Sequence, residues 1–318
     1  MAKKAFICAL HSSTLGDDEK KFLTEHQPWG IIIFGYSART KEQLTTLIND
    51  IKSVLGNDTM ILVDQEGGRI QRLKPPAWKV HPAARSYIDA APNHLVTNET
   101  LLEVMNGAQD IATELKEVGI NVDCFPDMDV PVPGANDVIG DRAYSEDTAQ
   151  VAILARAAAF GLMQGGALPV IKHMPGHGRA TVNSHLALPT VTESIDVLKS
   201  TDFLPFKLNA DLPMGMVAHI VYSAIDSTEP ASQSAKVVNE VIREHIGFKG
   251  ILMTDDLTME ALSGTYAERA QKAIAAGIDI VLICDEFKDQ STIDVANNVP
   301  EISDRVAELT KAALARIS

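Results

Sequence analysis

The chain has few cysteines, few aromatic residues and no excess of positive charge. Its three cysteines, Cys8, Cys124 and Cys284, stand far apart in apolar runs. An odd, scattered set excludes a disulfide framework and reads as reduced, buried thiols. None has a Cys or His neighbour at zinc-ligand spacing. Lys plus Arg number 28 against 42 Asp plus Glu, a formal net charge of −14. That balance argues against a nucleic-acid partner or an anionic membrane surface. No segment approaches the roughly 20 apolar residues of a membrane span. The start, Met1-Ala2-Lys3-Lys4, leads into only six apolar residues, and Asp17, Asp18 and Glu19 follow without a cleavage site. We read residues 5–10 as a first strand, not a leader, and expect a cytoplasmic monomer. No internal repeat, low-complexity tract or linker breaks the sequence.

Eight short apolar runs are present, at residues 5–10, 30–34, 60–63, 121–125, 168–171, 214–220, 250–253 and 279–283. Continuous apolar runs of this length suit strands buried on both faces. Helical patterns separate them, for example over 41–55, 100–118, 148–164 and 265–276, and Gly119, Gly165-Gly166, Gly247 and Gly277 mark helix ends before strands. Eight strands alternating with helices predict a single (β/α)8 barrel domain over residues 1–318. An open doubly wound sheet is the alternative, but no GxGxxG follows the first strand, where His11-Ser12-Ser13 stands instead. The connection from 64 to 98 is long and holds four of the fifteen prolines, which suits a functional loop.

Ionisable residues follow several strands: Asp64 and Glu66 after the third, Asp127 and Asp129 then Asp141-Arg142 after the fourth, Lys172-His173 after the fifth, His219 after the sixth and Asp255-Asp256 after the seventh. In a barrel this is the face on which active sites are built. The densest stretch is Lys172-His173-Met174-Pro175-Gly176-His177-Gly178-Arg179, ending in Asn183-Ser184-His185. Its Pro and Gly residues forbid a regular helix, so His173 and His177 share no helical face. Lys172, His173, His219 and Asp255 invite a metal-dependent hydrolase reading. Against it, no His-x-His follows strand one and no HExxH occurs, so no metal or cofactor is assigned.

The same stretch, with Leu188-Pro189, resembles the signature of bacterial β-N-acetylhexosaminidases of glycoside hydrolase family 3, the NagZ group. Val63-Asp64-Gln65-Glu66-Gly67-Gly68-Arg69-Ile70-Gln71-Arg72, Ile139-Gly140-Asp141-Arg142 and Thr254-Asp255-Asp256-Leu257-Thr258-Met259 resemble three further motifs of that group, in the same order. The resemblance implies a (β/α)8-type catalytic domain and removal of a terminal β-linked N-acetylglucosamine with retention of configuration. The substrate class it implies is the muropeptide-derived GlcNAc–1,6-anhydro-N-acetylmuramic acid of cell-wall recycling.

By motif match Asp255 is the nucleophile and His185 the acid/base, while Asp64, Arg72, Arg142, Lys172 and His173 bind the sugar. Retaining hydrolysis ordinarily uses a second carboxylate as acid/base. A histidine, with an unperturbed pKa of about 6.5, can both give and take a proton near neutrality. Strand alternation lets only one of Asp255 and Asp256 face the barrel axis, and the motif selects Asp255. Arg69 is expected to face away from Arg72, His177 to order its loop, His219 to support the site from behind, and Trp78 to pack beneath its loop.

One position departs from the group. The family carries Asp-Ser-His, and this chain carries Asn183-Ser184-His185. The family Asp fixes the histidine tautomer and stabilises imidazolium, whereas Asn183 brings no charge. A naturally weakened homologue, an engineered change and a substitute carboxylate are all open explanations. Two other activities stay in play. One is a sugar-binding homologue with impaired catalysis, and the other is a phosphorylase, since a neutral histidine suits an anionic acceptor.

Overall fold

The computed structural model describes residues 2–184, 186–285 and 289–317. Eight parallel strands close into a barrel: β1 (Lys4–Ala9), β2 (Pro28–Ile33), β3 (Met60–Val63), β4 (Val122–Asp123), β5 (Leu168–Met174), β6 (Met214–Val217), β7 (Ile251–Asp256) and β8 (Ile280–Ile283). Each pairs with its neighbours in sequence, and β8 closes on β1 through Phe6–Val281 and Cys8–Ile283. All eight expected runs are strands. Strand β4 is shorter than its apolar run, and β5 is longer, continuing through Lys172 and His173 to Met174.

Alternation along the strands explains both core and site. Ala5, Ile7 and Ala9 of β1 join Met60 and Leu62, Leu168 and Val170, Met214 and Met216, Ile251 and Met253, and Ile280 and Leu282 in one buried cluster inside the barrel. Their neighbours, including Phe6, Cys8, Ile61, Val63, Ile171, Leu252 and Val281, form a second cluster with the surrounding helices. A strand sends successive side chains to opposite faces. One step beyond Leu62, Val170 and Met253, the inward positions are Asp64, Lys172 and Asp255. The pattern that fills the core therefore delivers three polar side chains to its C-terminal mouth.

The outer helices include α1 (Asp17–His26), α2 (Lys41–Leu55), α3 (Asn98–Val118), α4 (Thr148–Gly165), α5 (Leu204–Leu208), α6 (Val237–His245), α7 (Tyr266–Ala276), α8 (Gln290–Asn298) and α9 (Asp304–Leu314). Thr40 and Asp147 cap α2 and α4 by accepting the Gln43 and Gln150 amides. Gly119 and Gly166 end α3 and α4 in the left-handed region, at φ 91° and 98°, where a side chain would be strained. The 64–98 connection folds as a small hairpin (Gln65–Gly67 with Ile70–Gln71) and a short helix (Ala84–Ala90). The cysteines Cys8 and Cys124 are free and buried, and Cys284 is free and half-buried. No described helix is long and apolar enough to cross a membrane.

Candidate active site

A cavity opens at the C-terminal mouth of the barrel. Ile32, Met216 and Leu282 are among its apolar lining, and Asp64, Glu66, Arg72, Arg142, Lys172, His173, Asp255 and Asp256 supply its polar lining. Seven of the eight residues expected in the site are described, and six of them meet here: Asp64, Arg72, Arg142, Lys172, His173 and Asp255. Asn183 is half-buried and does not line the cavity. His185 lies outside the described residues.

The polar side chains hold one another in place. Lys172 Nζ sits 2.9 Å from Asp64 Oδ1 and 2.7 Å from Glu66 Oε1. Arg142 grips the same Glu66 with two parallel bonds, Nε to Oε2 at 2.9 Å and Nη2 to Oε1 at 2.8 Å. Arg72 Nη2 donates to Asp64 Oδ2 at 3.1 Å, and its guanidinium lies 5.4 Å from the Phe34 ring centre. Glu66 is thus the hub of the cationic wall. It had no assigned role from the sequence, although it stands two positions after Asp64, where an extended segment presents the same face.

Beneath this wall lies a second buried layer. Asp129 Oδ2 accepts from His173 Nδ1 at 2.7 Å, and Asp129 Oδ1 accepts the backbone N–H groups of His173 (3.3 Å) and His177 (2.6 Å). Three donors on one group identify Asp129 as a carboxylate acceptor and place the His173 proton on Nδ1. The lone pair of His173 Nε2 then accepts from Arg142 Nη2 at 3.3 Å. Asp127 Oδ1 accepts the Asp129 N–H at 2.9 Å.

Burial and neighbouring charge set the protonation states. Burial alone would raise the Asp64 carboxyl, yet Lys172 and then Arg72 hold it well below the usual carboxylate range. Burial is likewise outweighed at Glu66, which Arg142 and Lys172 keep ionised with a pKa of about 2. Burial would lower Lys172, but Asp64 and Glu66 keep it firmly charged. Asp127 goes the other way, pushed up to about 8 by burial and then by the Asp129 charge. Burial, then Arg142, lowers His173 to about 4, so its ring is neutral at ordinary pH.

Strand β7 ends in Asp255 and Asp256, and both border the cavity. Only Asp255 extends the inward row of Ile251 and Met253; Asp256 reaches the cavity edge where the register shifts between Met253 and Asp256. Their environments separate them. Asp256 Oδ1 accepts from the Thr258 and Cys284 N–H groups, both at 3.0 Å, and Oδ2 from the Thr258 hydroxyl. Asp255 Oδ1 accepts the Asp256 N–H at 2.8 Å.

The other sequence candidates fall where their chemistry suggested. Arg69 does not line the cavity; it bonds Asp141 (2.9 Å) and carbonyls of residues 137–139, bracing the segment that carries Arg142. His219 Nε2 donates to the Asp256 carbonyl at 3.0 Å, and its Nδ1 sits 2.7 Å from Ser232 Oγ. Trp78 is buried, Met253 belongs to the core, and Met259 lines the cavity. The alternative metal set of Lys172, His173, His219 and Asp255 does not assemble. Lys172 is spent on two carboxylates, and both nitrogens of His219 are taken. Among the described residues, Asp127, Asp129 and His173 could offer ligand atoms to an ion, all within 4.8 Å of one another. Asp129 already has N–H donors on both oxygens and Asp127 favours its neutral form, so this set suits protons better than a cation.

Comparisons with known proteins show the family of the chain. The profile described as glycosyl hydrolase family 3 N terminal domain matches residues 7–317. A beta-hexosaminidase of Bordetella avium is 34% identical over 308 residues, covering 94% of this chain and 85% of its own. One from Neisseria gonorrhoeae is 37% identical over 290 residues, covering 88% and 79%. Among solved structures, NagZ from Neisseria gonorrhoeae in complex with N-trifluoroacetyl-D-glucosamine superposes with a TM-score of 0.83 at 29% identity, covering 100% of this chain and 99% of that one. A longer family 3 β-N-acetylglucosaminidase from Paenibacillus gives a TM-score of 0.87 at 26% identity, and the present chain covers 98% of itself and spans 60% of that protein. The chain belongs to glycosyl hydrolase family 3, as an enzyme of the β-N-acetylhexosaminidase type.

Proposed function

We propose that the chain removes a terminal β-linked N-acetylglucosamine by a retaining mechanism, acting as one catalytic domain on GlcNAc–1,6-anhydro-N-acetylmuramic acid glycosides in the cytoplasm. The observation that carries this reading is Asp255, on the inward face at the end of β7, in one cavity with Asp64, Arg72, Arg142, Lys172 and His173. In the first step the Asp255 carboxylate attacks the anomeric carbon. The glycosidic C–O bond breaks, and His185 gives its proton to the leaving oxygen. In the second step His185 takes a proton from water, which attacks the same carbon and releases Asp255. The acid/base role of His185 rests on its sequence motif. Asp64 accepts from sugar hydroxyls, the cations of Arg72, Arg142 and Lys172 donate to hydroxyl and acetamido oxygens, and neutral His173, engaged by Asp129 and Arg142, borders the sugar and orients Arg142.

Hydrolysis of an aryl β-N-acetylglucosaminide followed by proton NMR tests the proposal. The first-formed sugar is expected to be the β anomer, and Asp255→Ala is expected to lose turnover. A first-formed α anomer, or full activity in Asp255→Ala, refutes the nucleophile assignment. Release of the sugar 1-phosphate in phosphate buffer identifies a phosphorylase instead. Asn183 favours one other reading, a sugar-binding homologue, and calorimetric binding of GlcNAc without turnover would support it.

A further inference from the structure

Ser184 is bonded in the chain to His185, and it is buried and held at two points. Its Oγ lies 3.2 Å from His177 Nε2. Its carbonyl accepts the Ala261 N–H at 3.3 Å, from the segment that follows Asp255 and Asp256. His177 is itself fixed from below. Its backbone N–H donates to Asp129 at 2.6 Å, and its ring meets the His173 ring edge-on at 5.6 Å. The next residue, Gly178, lies so close to the Val130 carbonyl that a Cβ would fall 2.0 Å from its oxygen. The base of the loop is therefore seated on the strand-four segment that carries Asp127 and Asp129. Burial, then His173, lowers His177 to about 4, so its ring is a neutral hydrogen-bonding group. Among the described residues its Nδ1 has no hydrogen-bond partner, and the Ser184 hydroxyl is the polar contact of this buried ring. Packing alone would be met by an apolar ring without that unmet nitrogen.

We propose that His177 is a positioning residue for the proton-transfer step: it holds Ser184, the residue that precedes His185 in the chain. This rests on the acid/base reading of His185 given above. Asn183 is neutral where the family carries a carboxylate, so the hold on Ser184 by the His177 ring and the Ala261 amide matters more for proton donation in this chain. Asp129 joins the clamp to the sugar-binding wall, because it also fixes His173.

The test is the dependence of rate on the leaving group. Two aryl β-N-acetylglucosaminides are compared: phenyl, which needs a proton to depart, and 2,4-dinitrophenyl, which does not. For Ser184→Ala and His177→Ala, kcat/KM on the phenyl substrate is expected to fall about 100-fold, the low end of general acid catalysis. On the dinitrophenyl substrate it should stay within about 3-fold. The double variant should be no worse than either single one, since both remove the same contact. Ser184→Thr, which keeps the hydroxyl, should retain most of the phenyl activity. Equal losses on both substrates, or additive losses in the double variant, would overturn the proposal. Ser184→Ala deletes one buried oxygen and keeps the test available should His177→Ala fail to fold. His185→Ala on the same pair separates the two levels of argument. Without a leaving-group effect there, the acid/base assignment itself fails. With one there and none in Ser184→Ala, only the clamp fails.

Discussion

Replacing Glu66 with Gln removes one charge from the centre of the cationic wall and changes the side-chain shape little. Glu66 is almost wholly buried between Lys172 (2.7 Å) and Arg142 (2.8 Å). Its carboxyl is held at about 2 against an ordinary 4.5. At ~1.4 kcal/mol per pKa unit, the ionised form stabilises the fold by about 3 kcal/mol. Removing one member of a buried pair costs a similar ~3–5 kcal/mol, because the remaining charge loses its partner. Urea unfolding of Glu66→Gln beside the wild type, from pH 8 to pH 3.5, measures the difference. A depressed carboxylate contributes above its unfolded pKa and loses that contribution as pH falls toward its folded pKa. The gap should therefore be about 3 kcal/mol and flat above pH 5, then narrow below about 4.5. A gap under about 1 kcal/mol at pH 7, or one that widens in acid, would refute the reasoning. The same variant should raise KM for an aryl N-acetylglucosaminide, since Lys172 and Arg142 lose their common anchor.

Three further outcomes follow. Asp127→Asn mimics the neutral carboxyl, so it should gain stability relative to wild type as pH rises from about 4 to about 8, and no more beyond; pH-dependent unfolding curves that stay parallel would exclude a protonated Asp127. Asn183→Asp should raise kcat and move the alkaline limb of the pH–rate profile upward, because a carboxylate favours imidazolium; an unchanged profile would mean that position 183 does not face the acid/base. Overnight treatment with a chelator should leave aryl-glycosidase activity intact, and a loss restored by zinc would overturn the assignment of the Asp127, Asp129 and His173 cluster to protons.

The barrel was legible because its strands are buried on both faces, so that each appears as a plain apolar run. Helix ends were legible at Gly119 and Gly277, which adopt the left-handed geometry that glycine favours. Asp64, Lys172 and Asp255 were assigned through their resemblance to the family motifs, and the fold shows that each extends an inward-facing row by one step. Glu66 and Asp129 could not be assigned in the same way. Their partners, Arg142 and the His173–His177 segment, are brought to them only by folding, over separations of 76 and at least 44 residues. The spacing of Asp127 and Asp129, two apart on an extended segment, was the available sign of a shared face. That Asp256 also reaches the cavity edge was hidden because a register shift leaves no mark in an apolar pattern.

The cationic wall also affects how the enzyme responds to dissolved salt. Lys172 is 2% exposed and Arg142 11%, each within 3 Å of a carboxylate, so mobile ions cannot approach them closely. Affinity for a neutral sugar should hardly change with ionic strength. The chain as a whole carries a formal net charge of −14, which repels an anionic substrate over a Debye length of about 8–10 Å. Added salt shortens that reach, so association of a carboxylate-bearing glycoside should speed up with ionic strength while that of an uncharged aryl glycoside stays level.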